Sequence, residues 1–127
     1  MIKGYVGWEL PASERARLLA VFPASYSKVV AHHCTLKFGV TSDELLPTAQ
    51  EGLVVGVADD GVGVQALVLK IGGTIHRPGG SVYHITWSLG LGRKPMESNH
   101  VIAREGFVPV QPVIPVRLTP KFFPMQG

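Results

Sequence analysis

A four-residue pattern occurs twice in the chain, as His33-Cys34-Thr35-Leu36 and as His84-Ile85-Thr86-Trp87. Each copy sits inside an apolar, β-branched run, Val29 to Phe38 in the first case and Val82 to Leu89 in the second. Runs of this kind favour strands, in which successive side chains alternate between the two faces. His33 and Thr35 are therefore expected on one face of their strand, and His84 and Thr86 on one face of theirs. Two such pairs turned toward one cleft supply two titratable rings and two hydroxyls. That set suits a general acid, a general base and a phosphate held between them.

The rest of the chain must build a scaffold around those two strands. At 127 residues it is long enough for one domain with a real core, and we treat residues 1–127 as a single domain. No apolar run is long enough to span a bilayer, and the N-terminus lacks the layout of a secretory signal. The single cysteine, Cys34, excludes an internal disulfide framework and a cysteine-rich zinc site, and it fits a reducing, cytoplasmic setting. A net charge of +3 is too small to argue for duplex DNA. The distribution of charge says more. All nine acidic residues fall outside residues 15–42 and 61–96, the windows that hold both motifs and eight of the twelve Lys and Arg residues. An anionic ligand near both motifs explains this, as does the exclusion of carboxylates from buried strands.

Read in order, Lys3 to Leu10 forms a first strand, and Ser13-Glu14 opens a helix that Pro23 closes. The first motif strand ends near Gly39, and Ser42 to Leu46 has the composition of a short helix start, with Pro47 limiting how regular a helix it opens. Asp59-Asp60-Gly61 marks a hairpin between Leu53–Val57 and Val62–Ile71. The second motif strand, Ser81 to Leu89, leads through a basic glycine loop to a short helix beginning near Ser98-Asn99 and ending at Gly106. Beyond Phe107, valines interspersed with prolines place any strand at a sheet edge, and the last residues are expected to be loose. This order predicts an α+β fold with largely antiparallel sheets and flanking helices, compact, in two imperfectly repeated halves that each carry one His-x-Thr strand.

At the two tetrads the sequence resembles the two-histidine (2H) phosphoesterase superfamily, whose signature is a pair of His-x-Ser/Thr-hydrophobic tetrads on facing strands. The aromatic first strand with a helix directly after it, Tyr5 to Phe22, is also similar to that family. The resemblance implies a two-lobed, pseudo-symmetric fold and a metal-independent phosphodiesterase that needs no cofactor. It implies substrates such as RNA 2′,3′-cyclic phosphate ends, as for the cyclic phosphodiesterase modules of tRNA ligases, or cyclic oligonucleotide signals, as for phage proteins that destroy immune messengers. His33 and His84 would then be the acid and base in an order the sequence leaves open, and Thr35 and Thr86 would donate to phosphate oxygens. A binding module that uses the same cleft for nucleotides or RNA without turnover is the alternative.

Other residues have competing assignments. Tyr5 and Trp8, on a strand that borders the cleft, are candidates to stack on a base, with core packing an equal alternative for Trp8. Lys37 and Arg77 are candidates for a second phosphate contact, as are Arg93 and Lys94 in the glycine loop. His32 alternates away from His33 and is assigned to structure or surface. His76 and His100 lie near turns; a zinc site combining them with His33 and His84 lacks any recognised ligand spacing. Cys34, Tyr83 and Trp87 alternate away from the histidines and are assigned to the core.

Overall fold

The centre of the molecule is a strand that carries no motif residue, Val64–Lys70 (β5 below), where six of seven residues are buried. A strand with both faces covered must have a layer on each side, and two helices provide them. The computed structural model describes residues 2–125. Its elements are β1 (Lys3–Glu9), α1 (Ala12–Val21), β2 (Lys28–Val29), β3 (His33–Thr41), β4 (Glu51–Asp59), β5 (Val64–Lys70), β6 (His84–Leu89), α2 (Glu97–Glu105), β7 (Val108–Arg117) and β8 (Thr119–Pro124). The strands pair antiparallel in one curled sheet of order β7-β4-β5-β6-β3-β1-β8, with β2 also on β6. The fold is α+β with an antiparallel sheet and flanking helices, as the order of sequence signals predicts.

The two helices lie on opposite faces. Leu18, Leu19 and Phe22 of the α1 region pack with Trp8, Leu67, Leu69, Ile85 and Trp87. Val101 and Ile102 of α2 pack with Ala58, Val64, Ala66, Val68 and Leu89. Alternation along β5 thus sends Leu67 and Leu69 toward α1, and Ala66 and Val68 toward α2. Glu14 ties α1 down: its buried carboxylate accepts from Arg17 and from the backbone N–H of Arg117 at 2.7 Å.

The two halves are joined at one seam. β3 and β6 pair through Cys34 and Ile85 alone, after which β3 leaves β6 to pair with β1. The first motif strand is interrupted. Val30 and Ala31 donate to the Trp87 and Thr86 carbonyls as a continuation of β2, and Ala31 then takes φ +44°, a left-handed turn unusual for alanine. Two further differences concern the ends of segments. Residues 42–46 form a turn and then extended chain instead of a helix start, since Pro47 blocks a continuing helix. Residues 119–124 form β8 against β1, where Phe123 is buried opposite Tyr5, so the looseness expected of the last residues does not reach back to them; residues 126 and 127 lie outside the described residues. The proline-rich β7 lies at the sheet edge, as predicted.

Candidate active site

The seam fixes the site. Cys34 and Ile85 are opposed and both fully buried, so both side chains enter the α1-side core. Their neighbours on each strand must therefore point to the other face. In an antiparallel pair, the residue before Cys34 comes opposite the residue after Ile85, which sets His33 against Thr86 and Thr35 against His84. An approximate two-fold relation follows from that register alone. Beyond the seam the strands splay, and the face is open because α2 covers only the β4 to β6 half of it.

The resulting cleft has a volume of about 470 Å³ and is lined by both His-Thr pairs together with Tyr5, Phe38, Arg77, Pro95, Met96 and Asn99. One wall is aromatic. Tyr5 stacks between Phe38 at 5.5 Å and Phe123 at 5.0 Å, and its ring lies 5.2 Å from that of His33. The Phe38 ring remains 63% exposed and so presents a free apolar face. The opposite wall is the start of α2, placed by a latch. Arg93 bonds Asp60 at 2.8 Å and Glu97 at 2.7 Å, while the other Asp60 oxygen accepts three backbone N–H groups of the β4–β5 turn. Burial opposes ionisation of Asp60, but those donors outweigh it and hold its carboxyl well below the usual carboxylate range.

Each motif side chain has a distinct setting. His84 Nδ1 lies 2.9 Å from the Val82 carbonyl, which only a ring N–H can satisfy, so Nε2 carries the lone pair. Burial lowers the His84 pKa and Arg77 adds to this, against the opposing effect of the Val82 bond. His33 is pushed down to about 4 by burial, then by the charges of His32 and His84. Among the described residues the Thr35 hydroxyl has no protein partner, whereas that of Thr86 lies 3.2 Å from the Pro95 carbonyl and 2.9 Å from the Ser98 hydroxyl. Arg77 Nη1 approaches the Thr35 carbonyl at 3.5 Å. Among the described residues Arg77 is the one Lys or Arg lining the cleft and no Asp or Glu lines it, so the field inside favours an anion.

The depressed His33 pKa has a consequence for stability. Unfolded, His33 takes up a proton near the ordinary value of about 6.5; folded, it does so near about 4. Between those values the unfolded chain binds more protons, so stability rises with pH across that window. The contribution is full above the unfolded value, is lost as pH falls through the folded one, and changes no further below it. Thermal melts from pH 7 to pH 4 are expected to show a falling Tm, with a shallower slope in His33→Asn. Equal slopes in the two proteins would contradict this account.

Trp8 takes the core alternative, and two other residues depart from simple alternation. Trp8 is not at the cleft: it is 2% exposed, packs edge-on against Tyr83 and donates its indole N–H to the Ala49 carbonyl at 2.8 Å. The reason is its register opposite Cys34, which puts it on the core face. Lys37 is also off the cleft, opposite Val6, with its ammonium 3.4 Å from Glu44. An irregularity in the β1–β3 pairing at Leu36 shifts the alternation by one, so Phe38 replaces Lys37 on the His33 face. Gly7 permits the close approach there, since a Cβ would fall 2.1 Å from the Cys34 carbonyl. His32, third, does not point away from His33: after the Ala31 turn the two rings meet with Nδ1 atoms 3.0 Å apart.

Phe38, Met96 and Asn99 join the site without a sequence signal of their own, apart from Gly39, whose φ of +75° accompanies the shifted alternation at Phe38. Burial pushes the Cys34 thiol up to about 12, which removes it as a nucleophile near neutral pH. His76 and His100 are exposed and outside the cleft lining. Among the described residues no three His, Cys, Asp or Glu side chains gather as a metal site, and no helix is long and apolar enough to cross a membrane.

Fold and site together define an antiparallel α+β domain with a two-histidine, anion-favouring cleft. No family model, curated protein or solved structure matches the chain.

Proposed function

We propose that the protein is a metal-independent phosphodiesterase acting on cyclic nucleotide substrates, of the kind found among the two-histidine phosphoesterases its motifs resemble. The observation that carries this is the convergence of His33, Thr35, His84 and Thr86 from two strands on one cleft whose lining includes Arg77 and, among the described residues, no carboxylate. His84, with Nδ1–H held by Val82 and Nε2 bare, is suited to take a proton from water. The hydroxide formed attacks phosphorus, the bond from phosphorus to the ribose oxygen breaks, and the departing oxygen receives a proton from His33. The proton on His84 then returns to solvent. Thr35 and Arg77 supply donors for the non-bridging oxygens, where charge accumulates in the transition state. Tyr5 and Phe38 supply a surface for the base.

A cleft of about 470 Å³ suits one nucleotide unit. The substrate is thus either an RNA-derived 2′,3′-cyclic phosphate or a cyclic oligonucleotide signal, of the sort phage enzymes degrade, with one unit in the cleft and the remainder outside it. The test is mass spectrometry of products after incubation with 2′,3′-cyclic nucleotides and a panel of cyclic di- and trinucleotides, in the presence of EDTA. We expect a ring-opened product and undiminished turnover with the chelator; strict metal dependence would defeat the mechanism.

One observation favours a binding module instead. The Thr86 hydroxyl is already engaged with Pro95 and Ser98, so one of the four motif groups serves the protein as well as a ligand. Tight nucleotide binding without product across the panel is the outcome that would select this second function.

A further inference from the structure

The mechanism requires a histidine that can deliver a proton, yet His33 is desolvated and held neutral near pH 7. A neutral imidazole is a poor acid unless a proton enters the ring as another leaves. The surroundings of His33 provide such an entry. Its Nδ1 is 3.0 Å from His32 Nδ1, and His32 Nε2 is 3.5 Å from the Glu9 carboxylate. Lys121 holds that same carboxylate at 3.1 Å from β8, and the Phe123 ring packs against both imidazoles, 5.1 Å from His33 and 5.9 Å from His32. The His32 side chain is 52% exposed, so its outer edge meets water. These groups form a continuous line from solvent and Glu9, through His32, to Nδ1 of His33.

We propose that His32 is a proton relay and positioning residue for His33, with the Glu9 charge beside the relay's outer edge. A protonated His32 donates from Nδ1 to His33 Nδ1, while the Glu9 carboxylate lies near its Nε2 at ion-pair range. His33 then accepts at Nδ1 and carries its own hydrogen on Nε2, the ring nitrogen left for the cleft. When His33 gives the Nε2 proton to the departing oxygen, the His32 Nδ1 proton moves to His33 Nδ1. His32 keeps its Nε2 hydrogen and is left neutral. Once product leaves, His33 takes a proton from solvent at Nε2 through the open cleft and returns its Nδ1 proton to His32, which restores the starting state. One proton taken from solvent balances the one that His84 later returns. The two histidines of the motif therefore differ in kind, His84 fixed by a carbonyl as the base and His33 backed by a ring that can recharge it.

This inference deepens the proposed phosphodiesterase mechanism and rests on it, but the His32–His33 coupling is measurable without any substrate. In the full chain labelled with ¹⁵N-histidine, long-range proton–nitrogen correlation spectra report tautomer and titration midpoint for each ring, assigned with single His variants. We expect His33 in the Nε2–H form near neutral pH, and in His32→Ala a His33 midpoint displaced upward toward the ordinary value, since the neighbouring charge that depresses it is gone. An unchanged midpoint and tautomer in His32→Ala would overturn the relay. With 2′,3′-cyclic AMP as the kinetic probe, His32→Ala is expected to lose roughly tenfold in kcat with KM nearly constant, and added imidazole should restore part of the loss. Glu9→Gln should displace the His33 midpoint the opposite way, downward, because the Glu9 charge raises it. Turnover untouched by His32→Ala would overturn the relay while leaving the phosphodiesterase mechanism standing. Coupled His32 and His33 titration in a protein silent on every cyclic nucleotide would support the shared-proton pair and count against phosphodiester hydrolysis.

Discussion

Replacing His84 by alanine is expected to lower kcat on a 2′,3′-cyclic nucleotide by about a thousandfold, the middle of the range for removal of a positioned general base. The effect should fall on kcat more than on KM, because the ring acts on water in the transition state and Arg77, Thr35 and the aromatic wall remain to hold the substrate. His84 also has a structural duty, since the Val82 carbonyl would lose its donor at 2.9 Å. A fully buried carbonyl left unsatisfied costs about 1–3 kcal/mol, and this half-buried one should cost toward the low end, so the variant should unfold at slightly lower urea concentration. His84→Asn separates the two roles. Its amide can still donate to Val82 but cannot serve as a base, and we expect stability near wild type with activity as low as in His84→Ala. Activity retained in His84→Asn, measured by single-turnover product formation, would remove His84 from the chemistry. Because both histidines serve one step, the His33→Ala/His84→Ala double variant should be little worse than the poorer single variant.

The largest expected stability effect lies at Trp8. Trp8→Ala empties a fully packed position between Tyr83 and α1 and abandons the bond to the Ala49 carbonyl, at an expected cost of about 3–5 kcal/mol. A chain of this size is ordinarily stable by about 5–15 kcal/mol, so the variant would have little margin. Trp8→Phe keeps most of the volume and loses the indole N–H, and should cost about 1–2 kcal/mol. Neither change touches the cleft. Where the folded variants turn over, KM should equal that of wild type, whereas Tyr5→Ala should raise KM with a smaller change in stability. Urea titrations followed by circular dichroism, alongside kinetics, distinguish the two residues. A raised KM in Trp8→Phe would return Trp8 to the substrate site.

Much of the architecture was legible because local chemistry and tertiary demand agree. The Asp59-Asp60-Gly61 hairpin forms where the turn residues require it, with Asp60 capping the turn through its own carboxylate. The helix after the aromatic strand, the helix that ends at Gly106 and the proline-bearing edge strand all follow from single-residue preferences. At Ser42 to Leu46 the limit set by Pro47 prevails over the helix-start composition, since no apolar stripe is there to bury. Near the end of the chain a strand forms that no sequence signal marked. Thr119 to Pro124 has no strong alternation, and it becomes a strand because β1 has a free edge and a place for Phe123.

By itself the sequence determined which side chains share a face: His33 with Thr35, His84 with Thr86, and Cys34, Tyr83 and Trp87 turned into the core. Period-two alternation is a local property and needs no partner strand. Tertiary structure alone decided where alternation fails and what those faces meet. The left-handed Ala31 turn brings His32 onto His33, and the shifted pairing at Leu36 exchanges Lys37 for Phe38 at the cleft. Both irregularities arise where one strand must leave β6 and join β1, a demand set by the sheet as a whole and written in no single residue. The same seam, through the opposition of Cys34 and Ile85, converts two separate His-x-Thr strands into one site.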